Sequence, residues 1–125
     1  TEKGHIARAA LEAIAMRTRE IVIEMQKDAN TTFRTLKVDG GGSTNDLLMQ
    51  IQSDLLQTEV IRPETTETTA LGAAFFAGLA TQYWPSIENL SSIWKVNKKF
   101  TPRNEIQNEK IIGAWNKRMN QLTNL

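Results

Sequence analysis

The chain has 125 residues, 40% of them hydrophobic and 23% charged, which is ordinary for one globular domain with a buried core. Its formal net charge is only +1, so neither nucleic acid nor an anionic membrane is an expected partner. The absence of cysteine excludes disulfides and thiolate metal sites and is compatible with a reducing compartment. The expected location is the cytoplasm.

The first predicted element is a long helix from His5 to about Lys27. Its alanines favour helix formation, and its larger apolar residues recur at helical spacing. That spacing predicts a buried stripe formed by Leu11, Ile14, Ile21, Val22 and Met25.

A strand, a helix and a second strand are predicted next. Leu36 to Val38 is a short alternating run before three glycines, which indicates a strand. A helix is expected to begin at Ser43 or Thr44, because Ser43 and Asp46 have the spacing of a capping box. Its predicted buried stripe is Leu48, Ile51 and Leu55. The second strand, TEVIRP, ends at Pro63, which has no backbone donor.

The remaining chain predicts two helices separated by an irregular segment. The first helix, with Thr66 or Thr68 as its cap, has an apolar stripe formed by Leu71, Ala74, Phe75, Gly78 and Leu79. Residues 84–104 are expected to be irregular, with at most one short helical turn, and residues 105–122 form the last helix. Two strands joined by one helix predict a parallel βαβ unit with flanking helices, hence an α/β fold.

The segment DGGGSTN, Asp39 to Asn45, is the candidate binding site. In a parallel sheet, ligands bind at the carboxyl ends of the strands. Gly40, Gly41 and Gly42 leave the main chain uncovered there, and the following helix begins with free N–H groups that suit a phosphate. From the local pattern alone, a tight turn before a well-capped helix explains the segment equally well. Asp39 is interpreted as a brace for this turn, with a magnesium or base role as the alternative.

Longer motifs carry a family resemblance. The stretch from Val38 to Ala80 resembles the carboxyl-terminal domain of the FGGY carbohydrate kinases, and HIARAALEAIAMRTREIVIEMQKD matches the helix that precedes it. MQIQSDLL and RPETTETTALGAA are more similar to the glycerol kinase branch than to the xylulose or gluconate branches. The resemblance implies an actin-like, ribonuclease H-like ATPase fold. It also implies transfer of the γ-phosphoryl group of ATP, with Mg²⁺, to glycerol, giving glycerol 3-phosphate.

The same resemblance assigns the site residues. It implies that Gly41 contacts the ADP phosphates, that Asn45 lies at the adenosine end, and that Gly40 and Gly42 shape the loop. The general base of the family is an aspartate of the other domain. No catalytic residue and no metal ligand are therefore expected in residues 1–125, which we interpret as a fragment of the nucleotide-binding domain that is inactive alone.

Two other interpretations remain open from the sequence. The parent protein could be another FGGY sugar kinase with a different acceptor. Alternatively, the chain is a truncated, non-catalytic binding module that either folds alone or pairs with itself, as a homo-oligomer, through surface that the rest of a kinase would cover.

Overall fold

The α/β architecture expected from the sequence is present in the computed structural model, which describes residues 1–103 and 106–123. The elements are, in chain order, α1 (Lys3–Asp28), β1 (Thr35–Lys37), a 3₁₀ helix (Gly41–Thr44), α2 (Asp46–Leu56), β2 (Glu59–Pro63), α3 (Thr68–Ala80), α4 (Ile87–Ser91), β3 (Val96–Phe100) and α5 (Ile106–Thr123). The predicted start of the last helix, residue 105, and the end of the predicted irregular segment, residue 104, lie outside the described residues.

Within those ranges, three strands form one sheet in the order β1-β2-β3. β1 and β2 are parallel, with Leu36 opposite Val60, so the predicted βαβ unit is confirmed. β2 and β3 are antiparallel, with Val60 opposite Phe100, and the register shifts between Arg62 and Pro63. The central strand therefore presents its carboxyl end beside that of β1, and both ends lie near the segment Asp39 to Asn45, the glycine turn.

β3 corrects the prediction of an irregular segment over residues 84–104, although the short helical turn expected there exists as α4. The sequence VNKKF has no alternating apolar pattern, and Phe100 is its one buried residue. The strand forms because the second edge of β2 needs backbone partners. Its lysines face solvent on an edge strand, where they discourage pairing with another chain.

The core lies between α1, α2 and the sheet. Its buried members are Ala15, Met16, Leu48, Met49, Ile51, Leu55, Val60 and Phe100. Burying each of the larger aliphatic side chains contributes roughly 1.5–3 kcal/mol. The predicted stripe of α2 is thus confirmed, and α2 is the element on which the other parts of the core are assembled.

The predicted stripe of α1 is wrong in part. Val22 is buried, but Ile14, Ile21 and Met25 are exposed, and the buried contacts of the helix come from Ala15 and Met16 instead. α1 packs against α2, and the small side chain of Ala15 faces this contact, where its carbonyl accepts a bond from Gln52 of α2. The short side chain of Ala15 allows a close approach of the two helices, and Ile14, Ile21 and Met25 are turned outward.

α3 is a helix as predicted, but most of its apolar surface is exposed. Gly78 is its one buried residue, and Phe76 has 76% of its surface exposed. A Cβ at Gly78 would collide with the ring of Trp84, which also meets Phe75 edge to face. The predicted threonine cap is wrong, because the residue at the N-cap position is Glu67, which makes no capping bond.

α5 packs on the core through Ile111, Ile112 and Trp115. The indole N–H of Trp115 donates to Glu20 at 2.7 Å, and this bond is the main cause of a lowered pKa for the Glu20 carboxyl. In the part of the chain that the structure describes, no helix combines the length and apolarity needed to cross a membrane.

Candidate functional site

The glycine turn comes directly after β1 in the chain and lies beside the carboxyl end of β2. Beyond β1, the Val38 N–H donates to the carbonyl of Ile61 at 3.1 Å, and the Gly40 N–H donates to the carbonyl of Thr66 at 2.9 Å. Gly40 has φ +75° and ψ 173°, a backbone conformation that side chains disfavour and glycine adopts freely. Glycine at position 40 is therefore required by the direction of the turn itself.

Gly41 and Gly42 have a different reason to be glycine. Their φ angles are not positive, and a Cβ built on either residue would meet no atom within 4 Å. Both residues are exposed and begin the 3₁₀ helix, where the first N–H groups have no intrahelical acceptor. Among the described residues, neither N–H has an acceptor. Internal packing therefore does not explain why these two residues are glycine.

Asn45 caps α2, which corrects the prediction that Ser43 and Asp46 form a capping box. The Asn45 Oδ1 accepts the Leu48 N–H at 3.0 Å. The Ser43 hydroxyl instead donates to the carbonyl of Gly40 at 2.7 Å, inside the turn. The 3₁₀ helix moves the start of α2 two to three residues beyond the predicted one, because Ser43 and Thr44 bond back to glycine carbonyls.

Asp39 braces the turn from its other side. Its carboxylate accepts a hydrogen bond from the hydroxyl of Thr68, the first residue of α3. This contact joins the end of β1 to the start of α3 and supports the bracing interpretation of Asp39. The described residues contain no group of three or more histidine, cysteine, aspartate or glutamate side chains that could hold a metal ion.

A charged cluster beside the turn was not found from the sequence. Arg62 of β2 donates through Nη1 to the carbonyl of Ser43 and to Asp46 Oδ1, both at 2.8 Å. Lys98 of β3 donates to the other oxygen of Asp46 at 2.6 Å. Together they lower the pKa of the Asp46 carboxyl, with the Lys98 contact the larger cause. The only sequence signal for the cluster is an arginine near the end of a buried strand, and this signal does not identify Ser43 or Asp46 as its partners.

An open groove of about 240 Å³ adjoins the turn. Its walls come from the end of the 3₁₀ helix, from β2 and the residues after it, and from β3: Thr44, Arg62, Pro63, Glu64, Thr66 and Asn97. A larger groove of about 480 Å³ is lined only by residues of α1 and α5 and is almost entirely apolar. Of the residues Asp39 to Asn45, only Thr44 lines the polar groove, and the predicted residues Gly40, Gly41, Gly42 and Asn45 line neither groove.

Comparison with known proteins gives consistent results. Residues 1–81 match the model of the FGGY family of carbohydrate kinases, C-terminal domain. The chain is 51% identical over 118 residues to the glycerol kinase of Deinococcus radiodurans, a match that covers 94% of this chain and 24% of that protein. It is 53% identical over 117 residues to the glycerol kinase of Borreliella burgdorferi, covering 92% of this chain and 23% of that protein.

Solved structures agree on the fold. The crystal structure of Plasmodium falciparum glycerol kinase with ADP superposes with a TM-score of 0.84 at 33% identity, over 97% of this chain and 24% of that one. A ligand-bound xylulose kinase from Lactobacillus acidophilus superposes with a TM-score of 0.81 at 18% identity, over 98% of this chain and 25% of that one. The chain thus spans about a quarter of the length of the relatives it matches.

Proposed function

The chain belongs to the FGGY family of carbohydrate kinases, and on this premise we propose that it is part of the nucleotide-binding domain of a cytoplasmic enzyme that phosphorylates glycerol. The fold is the actin-like, ribonuclease H-like α/β fold of these kinases. The reaction transfers the γ-phosphoryl group of ATP to glycerol and gives glycerol 3-phosphate. The observation that carries the choice of glycerol is identity of 51% and 53% to glycerol kinases over more than nine-tenths of the chain.

In this proposal the glycine turn binds the phosphates of the nucleotide. Gly41 and Gly42 offer two exposed N–H groups without an acceptor in the described chain. They precede the amino end of α2, where the helix dipole favours negative charge. Gly40 directs the main chain into this position through its positive φ. The solved relative whose crystal structure contains ADP supports the nucleotide as the ligand.

Asn45 has two separate roles in the same proposal. Its Oδ1 is used to cap α2, which leaves its amide N–H₂ group available as a donor. We assign this donor to the adenosine end of the nucleotide. The side chain is therefore fixed by the helix that it caps, so the amide needs no reordering when the nucleotide binds.

Mg²⁺ and the catalytic base are not assigned to this chain. Because the described residues offer no cluster of metal ligands, the ion would be held by the nucleotide phosphates and by residues of other parts of the enzyme. When bound, Mg²⁺ neutralises charge on the phosphates during transfer. No side chain here is proposed to take the proton from glycerol, so residues 1–125 alone are expected to have no kinase activity.

The nucleotide assignment is tested by Gly41→Ala in the kinase that contains this chain. The φ of Gly41 suits alanine and the added methyl meets no protein atom, so the folded chain should tolerate the change. The methyl occupies the space that a phosphate needs, and we expect the KM for ATP to rise about tenfold or more. Gly113→Ala, also in open space but in α5, is the matched control. An unchanged KM for ATP in Gly41→Ala would refute the assignment.

The acceptor is tested by a substrate screen of the same enzyme. Glycerol should give ADP production at a higher kcat/KM than xylulose or gluconate. These two alternatives are chosen because a xylulose kinase and a gluconate kinase share the fold at 18% identity. A preference for either sugar would exclude glycerol as the physiological acceptor while leaving the ATP-dependent kinase assignment in place.

A further inference from the structure

The side chain of Arg62 donates hydrogen bonds to the glycine turn and to the first residue of α2. It is the fourth residue of β2, adjacent to the irregularity in the β2–β3 register. Its side chain is 12% exposed, although arginine is rarely buried unless it is paired. Such burial at the end of a strand needs compensating bonds, and the guanidinium group has three of them.

These bonds connect three different parts of the chain. Nη1 donates to the carbonyl of Ser43 in the 3₁₀ helix and to the carboxylate of Asp46 at the start of α2, while Nε donates to Asn97 Oδ1 of β3 at 3.0 Å. The guanidinium carbon also lies 5.4 Å from the centre of the Phe100 ring. A planar group with several fixed donors can satisfy all three oxygens at once, which a lysine ammonium at the same place cannot do with the same geometry.

The bond to the Ser43 carbonyl has a consequence for the glycines. Ser43 is buried, and both its N–H and its hydroxyl donate to the carbonyl of Gly40. Gly41 and Gly42 have no side chains that could fix their own position, and glycine is the residue with the greatest backbone freedom. The rigidity of the two exposed N–H groups must therefore come from their neighbours, and Arg62 is the charged side chain bonded to that backbone.

We propose that Arg62 is a positioning residue for ATP: by binding the Ser43 carbonyl and the Asp46 carboxylate, it holds the N–H groups of Gly41 and Gly42 in the arrangement that receives the phosphates. This inference rests on the proposed nucleotide site. Arg62 itself is engaged with protein oxygens and acts through the turn, so its effect is on nucleotide binding. Lys98 shares the Asp46 carboxylate, so a second cation also contacts the acceptor of Arg62.

The test is Arg62→Lys in the full kinase. The lysine keeps the positive charge and the length of the side chain but loses the fixed fork of donors. We expect the KM for ATP to rise about tenfold, the equivalent of one lost bond to a charged group, with kcat and the KM for glycerol changed much less. Amide hydrogen exchange should also become faster at Ser43 and Asn45, whose N–H groups donate to the carbonyls of Gly40 and Gly42, and this change reports loosening of the turn itself.

Arg103→Lys is the matched control. Arg103 also pairs with an aspartate of α2, Asp54, at 2.7 Å, but at the opposite end of that helix. The Arg103→Lys substitution should lower the free energy of unfolding and leave the KM for ATP unchanged. If Arg62→Lys does not fold, Asp46→Asn provides a second variant. This substitution weakens one of the bonds of Arg62 and leaves the size of the side chain at position 46 unchanged. A rise of the KM for ATP in that variant would support the proposal.

The outcomes separate this inference from the function on which it rests. If Gly41→Ala raises the KM for ATP while Arg62→Lys and Asp46→Asn leave both that KM and the amide exchange unchanged, Arg62 has no positioning role and the nucleotide site stands. If the enzyme shows no ATP dependence, or Gly41→Ala has no effect, both proposals are overturned. An equal rise of the KM for ATP in Arg103→Lys would show a general structural effect and would also contradict the proposal.

Discussion

At the carboxyl end of α2, backbone carbonyls accept hydrogen bonds from the side chains of Gln57, its C-cap, and of Arg19 in α1. At its amino end, α2 begins beside exposed glycines. The Ser53 hydroxyl lies 2.8 Å from the carbonyls of both Thr58 and Phe100. Gln57 donates to the carbonyl of Asp54 at 2.7 Å, and Arg19 of α1 donates to the carbonyl of Leu55 at 3.0 Å. Near this end, where the last carbonyls have no partner within the helix, those of Asp54 and Leu55 are thus satisfied by side chains.

The amino end is treated differently. Asn45 satisfies the N–H of Leu48, but the exposed N–H groups of Gly41 and Gly42 have no acceptor within the described ranges. One helix therefore has a carboxyl end at which side chains satisfy backbone groups and an amino end that follows exposed N–H groups, where we propose that an anion binds. Substitutions at the carboxyl end should change stability, and those at the amino end should change nucleotide binding.

The largest expected difference between the two ends involves the same residue type. Leu55 is 3% exposed, and Leu47, near the start of the same helix, is 47% exposed. Leu55→Ala should lower the free energy of unfolding by about 2–5 kcal/mol, because it leaves a cavity in the core. Leu47→Ala should change it by only about 0.5 kcal/mol. Urea denaturation measures both values, and similar losses would contradict the contrast between the ends.

A second contrast compares two aspartates. Asp54 is 5% exposed and accepts bonds from the Arg103 backbone N–H and from Gln50, both at 2.8 Å, besides its ion pair with the Arg103 guanidinium. Asp54→Ala leaves these donors without their acceptor and should cost roughly 2–3 kcal/mol of stability. The exposed Asp46 provides the control, since Asp46→Ala should cost far less in the same urea titration. Equal losses of stability in the two variants would show that side chains at the carboxyl end of α2 contribute no more to stability than those at its amino end.

The part of the fold that sequence patterns could predict is the part with local signals. The strands beside the glycines, the helix between them and the parallel pairing follow from Leu36, Leu48, Ile51 and Pro63 and their spacing. The exposed glycine turn follows from the same segment. These residues lie in or beside the βαβ unit, where local pattern and tertiary packing agree.

The rest depends on partners that are distant in the sequence. VNKKF becomes a strand because β2 has an unpaired edge, and nothing in its own composition indicates this. The buried face of α1 is selected by its contact with α2, which uses Ala15 in preference to the larger Ile14. Arg62 reaches Ser43 and Asn97 from 19 and 35 residues away, so these contacts could be found only from the three-dimensional arrangement.

A smaller effect is expected at the cap of α2. Asn45→Ala removes the acceptor for the Leu48 N–H and should cost about 1 kcal/mol of stability. Asn45→Ser retains a capping oxygen and should restore most of that stability, since serine and asparagine are comparable at this position. The serine lacks the amide donor, so the KM for ATP should remain raised in both variants. Recovery of both stability and KM in Asn45→Ser would show that Asn45 only caps the helix.

The smallest effect concerns the pKa of Asp46. Lys98 and Arg62 hold this pKa below its ordinary value of 3.8, so the ionised carboxylate is favoured in the folded state. The stabilisation is therefore fully present above the pKa of the unfolded chain and is lost as the pH falls through the lower, folded pKa. Because Asp46 is exposed, added salt should weaken the effect.

Lys98→Met should raise the pKa of Asp46 toward 3.8, since the Lys98 contact is the main cause of the lowered pKa. The carboxyl carbon shift of Asp46, followed by NMR as the pH is lowered below about 4, measures the change. Lys99→Met is the matched control, because Lys99 pairs with Glu59 at 3.5 Å and not with Asp46. A pKa that stays low in Lys98→Met would assign the effect to Arg62. The amino end of α2 would then depend on a single cation, the one that also binds the carbonyl of Ser43.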